Sequence, residues 1–354
     1  MFFLTILSNY ILPIIYDSAV GLVLALVILA VFRIKDPNIR ILFFMLPLLK
    51  PFLIIIEKVD VNELYSQSLI GTTGIRIPDP LNIIKFENWF TEGPKILLSN
   101  PNYIILKIIL TAILSLLIVR WTTLALFFRR LAYEEKVTRK EAPEFYKIID
   151  EYIVKTKTIS PDVSLTHKNY ISPFIVGVRR YTLVISPELL ERLNKSEKET
   201  LIQHELSHIK RKDNLIGWIA LILKDLNFFN PFAYIAYSLI RSEQEKACDK
   251  LVVKYSGKSP KEVAKDVLNS ILKLNLILSP SNHLIPMPSS TFSLAKILNQ
   301  KRLENRINSI IGTYPAKIYS QIAPKVLMAL LFLFFLFIQI MFAFKIGDLI
   351  FVLR

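Results

Sequence analysis

One cysteine, Cys248, in 354 residues rules out an intramolecular disulfide and any cysteine-rich zinc site. Histidine is nearly as scarce, at four residues, and glycine stops at nine. Charge is missing over long stretches. Asp17 is the only charged residue between Met1 and Phe32, and 326–344 is an unbroken run of nineteen uncharged residues. With 53% hydrophobic residues and a mean hydropathy of +0.43, the chain is too apolar for an ordinary soluble domain, so membrane spans are expected first. No repeat or low-complexity tract is present. A basic stretch before the first apolar run is also missing, and that run is long before any small-residue cleavage site, which argues against a signal peptide.

Four spans are expected. The first covers about 11–32. The second, 41–56, is apolar except for Lys50 and is kinked by Pro47 and Pro51. The third, 102–128, carries only Lys107 and Arg120, whose heads can snorkel towards opposite faces. The fourth is 326–344. Arg33, Lys35 and Arg40 crowd the loop after the first span, and Arg129, Arg130, Lys136, Arg139 and Lys140 follow the third. The loop 57–101 instead has four basic and six acidic residues. By the positive-inside rule the basic segments are cytoplasmic and 57–101 is outside, as are both ends of the chain. The division that follows is 1–128 (three spans and an outer loop), 129–324 (a cytoplasmic domain) and 325–354 (the last span and a short outer tail) of a multi-pass cell-membrane protein. The cytoplasmic segment carries 31 Lys/Arg against 20 Asp/Glu, most of the net +15. Attraction to the headgroups of the lipid bilayer accounts for that excess. A nucleic-acid role would want basic residues interleaved with exposed aromatics, or a recognition fold, and neither is present.

Residues 129–158 read as a helix, and 161–186 as β-structure whose last two segments form a hairpin around Gly177. Ser186-Pro187-Glu188 opens a short helix, and Ser196 with Glu199 makes a capping box for the next. That helix carries His204-Glu205-Leu206-Ser207-His208. This is H-E-x-x-H, the zincin signature: two imidazoles four residues apart share one helix face and can reach one metal ion, with the glutamate beside them as general base. In a zincin a sheet edge next to such a helix holds the substrate extended. After IKRKDN come two apolar pieces within 214–240, expected as amphipathic or membrane-dipping helices, and then Arg241-Ser-Glu-Gln-Glu245-Lys-Ala-Cys-Asp249. A catalytic zinc takes three protein ligands and keeps one position open. Glu245 is the expected third ligand and Glu243 the fallback, while His167 and His283 sit in no recognisable ligand helix. Asp249 can accept the free ring N–H of a ligand histidine. Arg241 can pair with this acidic cluster or with a substrate carbonyl. Oxyanion donors stay unassigned, with His283, Arg306 and Tyr314 as candidates.

SPFIVGVRRYTLVISPELL, HELSHIKRKDN, FNPF, RSEQEKACD and LENRINSI together resemble the membrane metallopeptidase family of the β-lactam sensor-transducer proteins. The resemblance implies His204, His208 and Glu245 as ligands of one zinc ion, Glu205 as catalytic base, and Asp249 behind a histidine. Asn230-Pro231 and Cys248 match family positions too. It implies an α-helical membrane protein of about four spans with a cytoplasmic α+β zincin-like domain, cutting a protein substrate such as a transcriptional repressor in signal transduction. The best-known members carry a penicillin-binding sensor domain after the last span. Here ten residues follow Phe344, so the stimulus is expected through 57–101, the spans or a partner. Two other readings compete: a quality-control or CAAX-type processing protease, and a non-catalytic transducer that keeps zinc for structure. Both a monomer and a homo-oligomer are compatible with the sequence.

Overall fold

The computed structural model describes residues 12–57, 59–60, 85–86, 104–133, 135–166, 173–277, 296–312 and 333. Helices α1 (Leu12–Val31) and α2 (Pro37–Glu57) come first, followed by the two-residue strands β1 (Val59–Asp60) and β2 (Lys85–Phe86). Then come α3 (Ile104–Ala132), β3 (Glu135–Val137), α4 (Pro143–Thr156), β4 (Asp162–Leu165), β5 (Phe174–Val176) and β6 (Thr182–Ile185). Helices α5 (Pro187–Arg192), α6 (Lys195–Arg211), α7 (Asp213–Leu226), α8 (Pro231–Tyr255), α9 (Pro260–Ile277) and α10 (Lys296–Ile311) complete the described chain.

Among the described residues two helices are long and apolar enough to cross a membrane, through Ile14–Val31 of α1 and Thr111–Arg130 of α3. Pro37–Leu49 of α2 is apolar but shorter. The expected span 326–344, except Leu333, and nearly all of 57–101 lie outside the described residues. α2 runs on through Pro47 and Pro51. Pro51 brings no N–H, so the carbonyl of Pro47 one turn back has no helical partner. The Ser18 hydroxyl of α1 donates to that carbonyl at 3.2 Å, and the Asn230 amide donates to Ser18 Oγ at 2.7 Å. Asn230 also caps α8 by accepting from the Phe232 N–H at 3.0 Å. Around this relay Leu22, Ala25 and Leu29 of α1, Phe43, Phe44 and Leu46 of α2, and Ala233, Ala236 and Ile240 of α8 form one buried cluster. Of the two apolar pieces after the motif, α7 leaves Leu215 and Ile219 exposed and α8 leaves Tyr234 and Ile235 exposed.

The larger sheet has the order β3-β4-β6-β5, with β4 and β6 parallel and the outer pairs antiparallel. β5 and β6 form the expected hairpin, with Ile175 opposite Leu183. At its turn Gly177 has φ +98, and a Cβ there would lie 1.9 Å from the Arg180 carbonyl oxygen. The helix expected over 129–158 is broken. Glu135–Val137 pairs with β4 as an edge strand, and α4 starts afresh at Pro143. Arg120 does not simply snorkel: its guanidinium meets the buried Asp225 of α7 at 3.2 Å, and the neighbouring Trp121 indole donates to the same carboxylate at 3.0 Å.

The expected capping box is displaced by two residues. Asn194 is the N-cap of α6: its side chain accepts from the Glu197 N–H at 2.8 Å, and Glu197 accepts from the Asn194 N–H at 3.0 Å. Ser196 instead donates to Asp266 of α9 at 2.7 Å. α6 runs through the centre of this unit. Ile202, Leu206 and Ile209 join Ile149 and Tyr152 of α4 and Ile175 and Leu183 of the sheet in a second buried cluster.

Candidate active site

On α6 the residues 204–208 are all buried, so the helix turns its polar motif inward against α8 rather than towards solvent. His204 Nε2 lies 3.3 Å from one Glu245 oxygen and His208 Nε2 lies 3.8 Å from the other. One ligand atom from each of His204, His208 and Glu245 falls within 4.8 Å of the others, an arrangement that could hold a metal ion. Glu205 lines the same cavity, of about 60 Å³, together with these three residues and Arg306. Two imidazoles and a carboxylate around one point are the donor set of a zinc site that keeps an open position, so the residues fit that ion.

The far side of each imidazole is held by a carboxylate. His204 Nδ1 is 3.0 Å from Asp249 Oδ1, one turn beyond Glu245 on α8. His208 Nδ1 is 2.9 Å from Asp213 Oδ2, at the start of α7. Lys212 takes a left-handed conformation (φ 58), which turns the chain so that Asp213 points back at α6. Asp213 is itself held by Arg211 Nε at 3.0 Å, and Arg211 reaches Asn38 at the start of α2 at 2.5 Å. A hydrogen-bonded line therefore connects α2 to the His208 ring. The Cys248 thiol donates to Asp213 at 3.3 Å and lies 3.3 Å from His208 Nδ1. Burial, and then the nearby Asp213 charge, push its pKa well up, so it stays a thiol. His208, Asp213 and Cys248 are also close enough together to hold an ion, but a protonated thiol and an Arg211-paired carboxylate make them support for His208. Underneath, Ser207 donates to the Gln203 carbonyl at 2.8 Å, so the Tyr152 hydroxyl, 2.6 Å away, donates to Ser207.

Arg306, from α10, closes the site. Its Nε and Nη2 make a two-pronged pair with Asp249 at 2.6 and 2.8 Å, and Nη1 meets Glu245 at 3.1 Å. Nη2 also lies 3.2 and 3.3 Å from the two ring nitrogens of His204. Burial disfavours the charged carboxylates, but the Arg306 charge together with the hydrogen bond and charge of His204 outweighs it and holds Glu245 and Asp249 below the usual range. Burial raises Glu205 above that range, partly offset by the two histidines. His204 is pushed down by burial and by Arg306, yet its hydrogen bonds with Asp249 and Glu245, together with the Asp249 charge, more than offset both and raise it to about 9.

The expected His204, Glu205, His208, Glu245 and Asp249 thus come together. Glu243, the fallback ligand, lies elsewhere: it pairs with Arg40 at 3.0 Å and Lys246 at 2.9 Å. Arg241 does not reach the acidic cluster. It donates to Gln244, and its Nη2 has no partner among the described residues. Of the three oxyanion candidates Arg306 is at the site, while His283 and Tyr314, like His167, lie outside the described residues. Asp213 was missed by the sequence reading, although its place five residues after His208 in HELSHIKRKDN was a usable signal. The edge expected to hold substrate is partly occupied: Asn214 donates to the Ile175 carbonyl of β5 and to the Gly177 carbonyl just after it, at 2.9 and 2.8 Å.

Comparison with known proteins shows the family of the chain. The sequence profile of the family described as BlaR1 peptidase M56 matches residues 83–310. Over 86 residues the chain is 33% identical to the methicillin resistance mecR1 protein of Staphylococcus aureus, which is 24% of this chain and 15% of that protein. It is 35% identical over 83 residues to the regulatory protein BlaR1 of Bacillus licheniformis, 23% of this chain and 14% of the relative. A protease HtpX homolog of Pyrococcus furiosus is 33% identical over 89 residues, 25% of this chain and 31% of that protein. These stretches span less than a third of each relative. The profile match alone covers well over half of the chain, which therefore belongs to the BlaR1 peptidase M56 family, the membrane zinc metallopeptidases of the sensor-transducer type.

Proposed function

We propose that the protein is a multi-pass membrane endopeptidase of the cell membrane, whose 129–324 segment hydrolyses peptide bonds of a cytoplasmic or membrane-proximal protein in signalling by regulated proteolysis. The observation that carries this is the convergence of His204, His208 and Glu245 on one point, with Glu205 in the same cavity. His204, His208 and Glu245 would hold zinc, which supplies Lewis acidity at the scissile carbonyl. Glu205 takes a proton from the attacking water and delivers it to the departing amine nitrogen, a role suited to a carboxylate whose burial makes it more basic. Asp249 and Asp213 orient the two imidazoles through their outer nitrogens. Arg306 keeps Glu245 and Asp249 ionised and stands at the cavity wall, where a substrate oxygen can meet its guanidinium. A transcriptional repressor is the proposed substrate class, in keeping with the regulatory and resistance names of two relatives.

The experiment is membrane proteomics on cells carrying the intact protein or its Glu205→Gln form. Cytoplasmic N-termini that appear with the first and vanish with the second are expected; full proteolysis by E205Q would sink the mechanism. A quality-control role is a second reading, supported by the likeness to protease HtpX homologs. It predicts cleavage of many misfolded membrane proteins in the same experiment rather than one cytoplasmic target.

A further inference from the structure

A second cavity, of about 280 Å³, lies away from the motif side chains, where the start of α2 meets the end of α6, the start of α7 and the last turns of α8. Asn38, Ile41, Lys210, Arg211, Ile216 and Leu251 line it. No carboxylate stands among them, and three of the six carry side-chain N–H donors. Those donors are not used up. Arg211 gives Nε to Asp213 and Nη1 to Asn38, and its Nη2 has no partner among the described residues. Asn38 accepts through its side-chain oxygen, which leaves its amide nitrogen to donate. Lys210 Nζ meets the Thr156 carbonyl at 2.5 Å and keeps two further N–H groups. The carboxylates close by are Asp36, Asp213 and Glu243. Arg40, Lys246 and Lys250 join the two lining cations against them, so positive charge is in excess.

The surroundings set the height of this cavity. α1 is apolar enough to cross a membrane through Ile14–Val31, and the chain returns at Ile34 to pack on the buried cluster before Asn38 begins to line the cavity. On the α7 side, the exposed Leu215 and Ile219 flank Ile216. The cavity therefore has polar donors where a bilayer that α1 crosses would end, and apolar surface beside them.

We infer, resting on the membrane reading of α1, that this cavity binds the phosphate of an anionic phospholipid headgroup. The phosphate oxygens accept from Arg211 Nη2, from the Asn38 amide and from the Lys210 ammonium, charge-assisted bonds that suit a phosphate. Ile41, Ile216 and Leu251 meet the glycerol and the first methylenes. A water occupies roughly 30 Å³ in the liquid, so the volume takes a phosphate with its glycerol arm in place of several waters. A zwitterionic headgroup carries an ammonium that the surplus of cations repels, so a lipid of net negative charge is preferred. One phosphate then bridges α2 and α6 and pins the end of the motif helix to the membrane surface.

The test uses the full-length protein in detergent, with phosphatidylglycerol, phosphatidylethanolamine or inorganic phosphate as probes and native mass spectrometry to read what stays bound. Phosphatidylglycerol is expected to bind about tenfold more tightly than phosphatidylethanolamine. Lys210→Gln should weaken it about fivefold, the equivalent of the roughly 1 kcal/mol that one lysine contributes beside an anionic headgroup. Lys265→Gln removes the same charge from the exposed side of α9 and should change nothing. Leu251→Trp fills the cavity without altering its charge and should weaken binding at least as much as K210Q, with thermal midpoints like that of the unaltered chain. Equal binding of the two lipids, or equal losses in K210Q and K265Q, marks diffuse attraction and overturns the site. Inorganic phosphate that displaces the lipid at low millimolar concentration assigns the cavity to a free anion and overturns the lipid. Release of the chain from membranes by alkaline carbonate would overturn the membrane reading of α1, and a lipid preference that persists would leave the site standing.

Discussion

Asp213 governs how well His208 can act as a ligand. Its carboxylate is fully buried and spends one oxygen on His208 Nδ1, Arg211 and the Cys248 thiol together. Removing such a partner typically weakens metal binding 10–100-fold, because the imidazole loses both its fixed tautomer and its orientation. Asp213→Ala is therefore expected to lower zinc affinity by about that factor in a chelator competition, with the circular dichroism of the protein unchanged. Asp213→Asn keeps an acceptor oxygen and should recover most of the loss; unchanged affinity in the alanine variant would count against this role. The spacing of His204 and His208 made that pair legible in the sequence, since one helix turn relates them. Arg306 was legible only as one candidate among three. Nothing local says that it crosses to Asp249, 57 residues away in the chain, and Glu245.

At the scale of elements, α6 illustrates how two local signals compete. LNKSEKETL contains both Asn194-x-x-Glu197 and Ser196-x-x-Glu199, two overlapping capping boxes. Tertiary contacts chose the first: Ser196 is drawn to Asp266 and Lys258, while Lys273 of α9 reaches Glu197 at 2.5 Å. Asn194→Ala should cost about 1 kcal/mol in unfolding experiments. Burial pushes Glu197 up, but its hydrogen bonds from Lys273 and from the Asn194 backbone prevail and lower its pKa. A carboxylate depressed in the folded state contributes stability above its unfolded pKa of roughly 4.3, and that contribution is lost as pH falls through the lower folded value. Thermal midpoints measured from pH 7 down to pH 3 should therefore fall less steeply for Glu197→Gln than for the unaltered chain. Parallel curves would show that the pair carries no such linkage.

The whole molecule joins its N-terminal helices α2 and α3 to the helices that carry and flank the motif at several points. Asn38 meets Arg211, Arg40 meets Glu243 beside Glu245, and Arg120 meets Asp225. These contacts put the start of α2 on the same side as the motif. Because Cys248 is fully buried, single added cysteines can report topology. Lys35→Cys and Lys157→Cys should resist a membrane-impermeant thiol reagent in intact cells and react after lysis, whereas Gln67→Cys should react in both. Labelling of Lys35→Cys from outside would reverse the orientation.

The sequence by itself determined the class of chemistry and the membrane setting. Helical periodicity puts His204 and His208 on one face, and long uncharged runs leave little alternative to apolar surroundings. Only the tertiary structure decided which carboxylate faces those histidines, since Glu243 and Glu245 differ by two residues and hence by more than half a helix turn. It alone decided that Arg306 and Asp213 belong to the site, that Asn194 rather than Ser196 caps α6, and that Ser18 of α1 repairs the gap left by Pro51 in α2. Local patterns offered Asp213 and Asn194 only as candidates, and contacts between helices far apart in the chain decided among them and brought in Arg306 and Ser18.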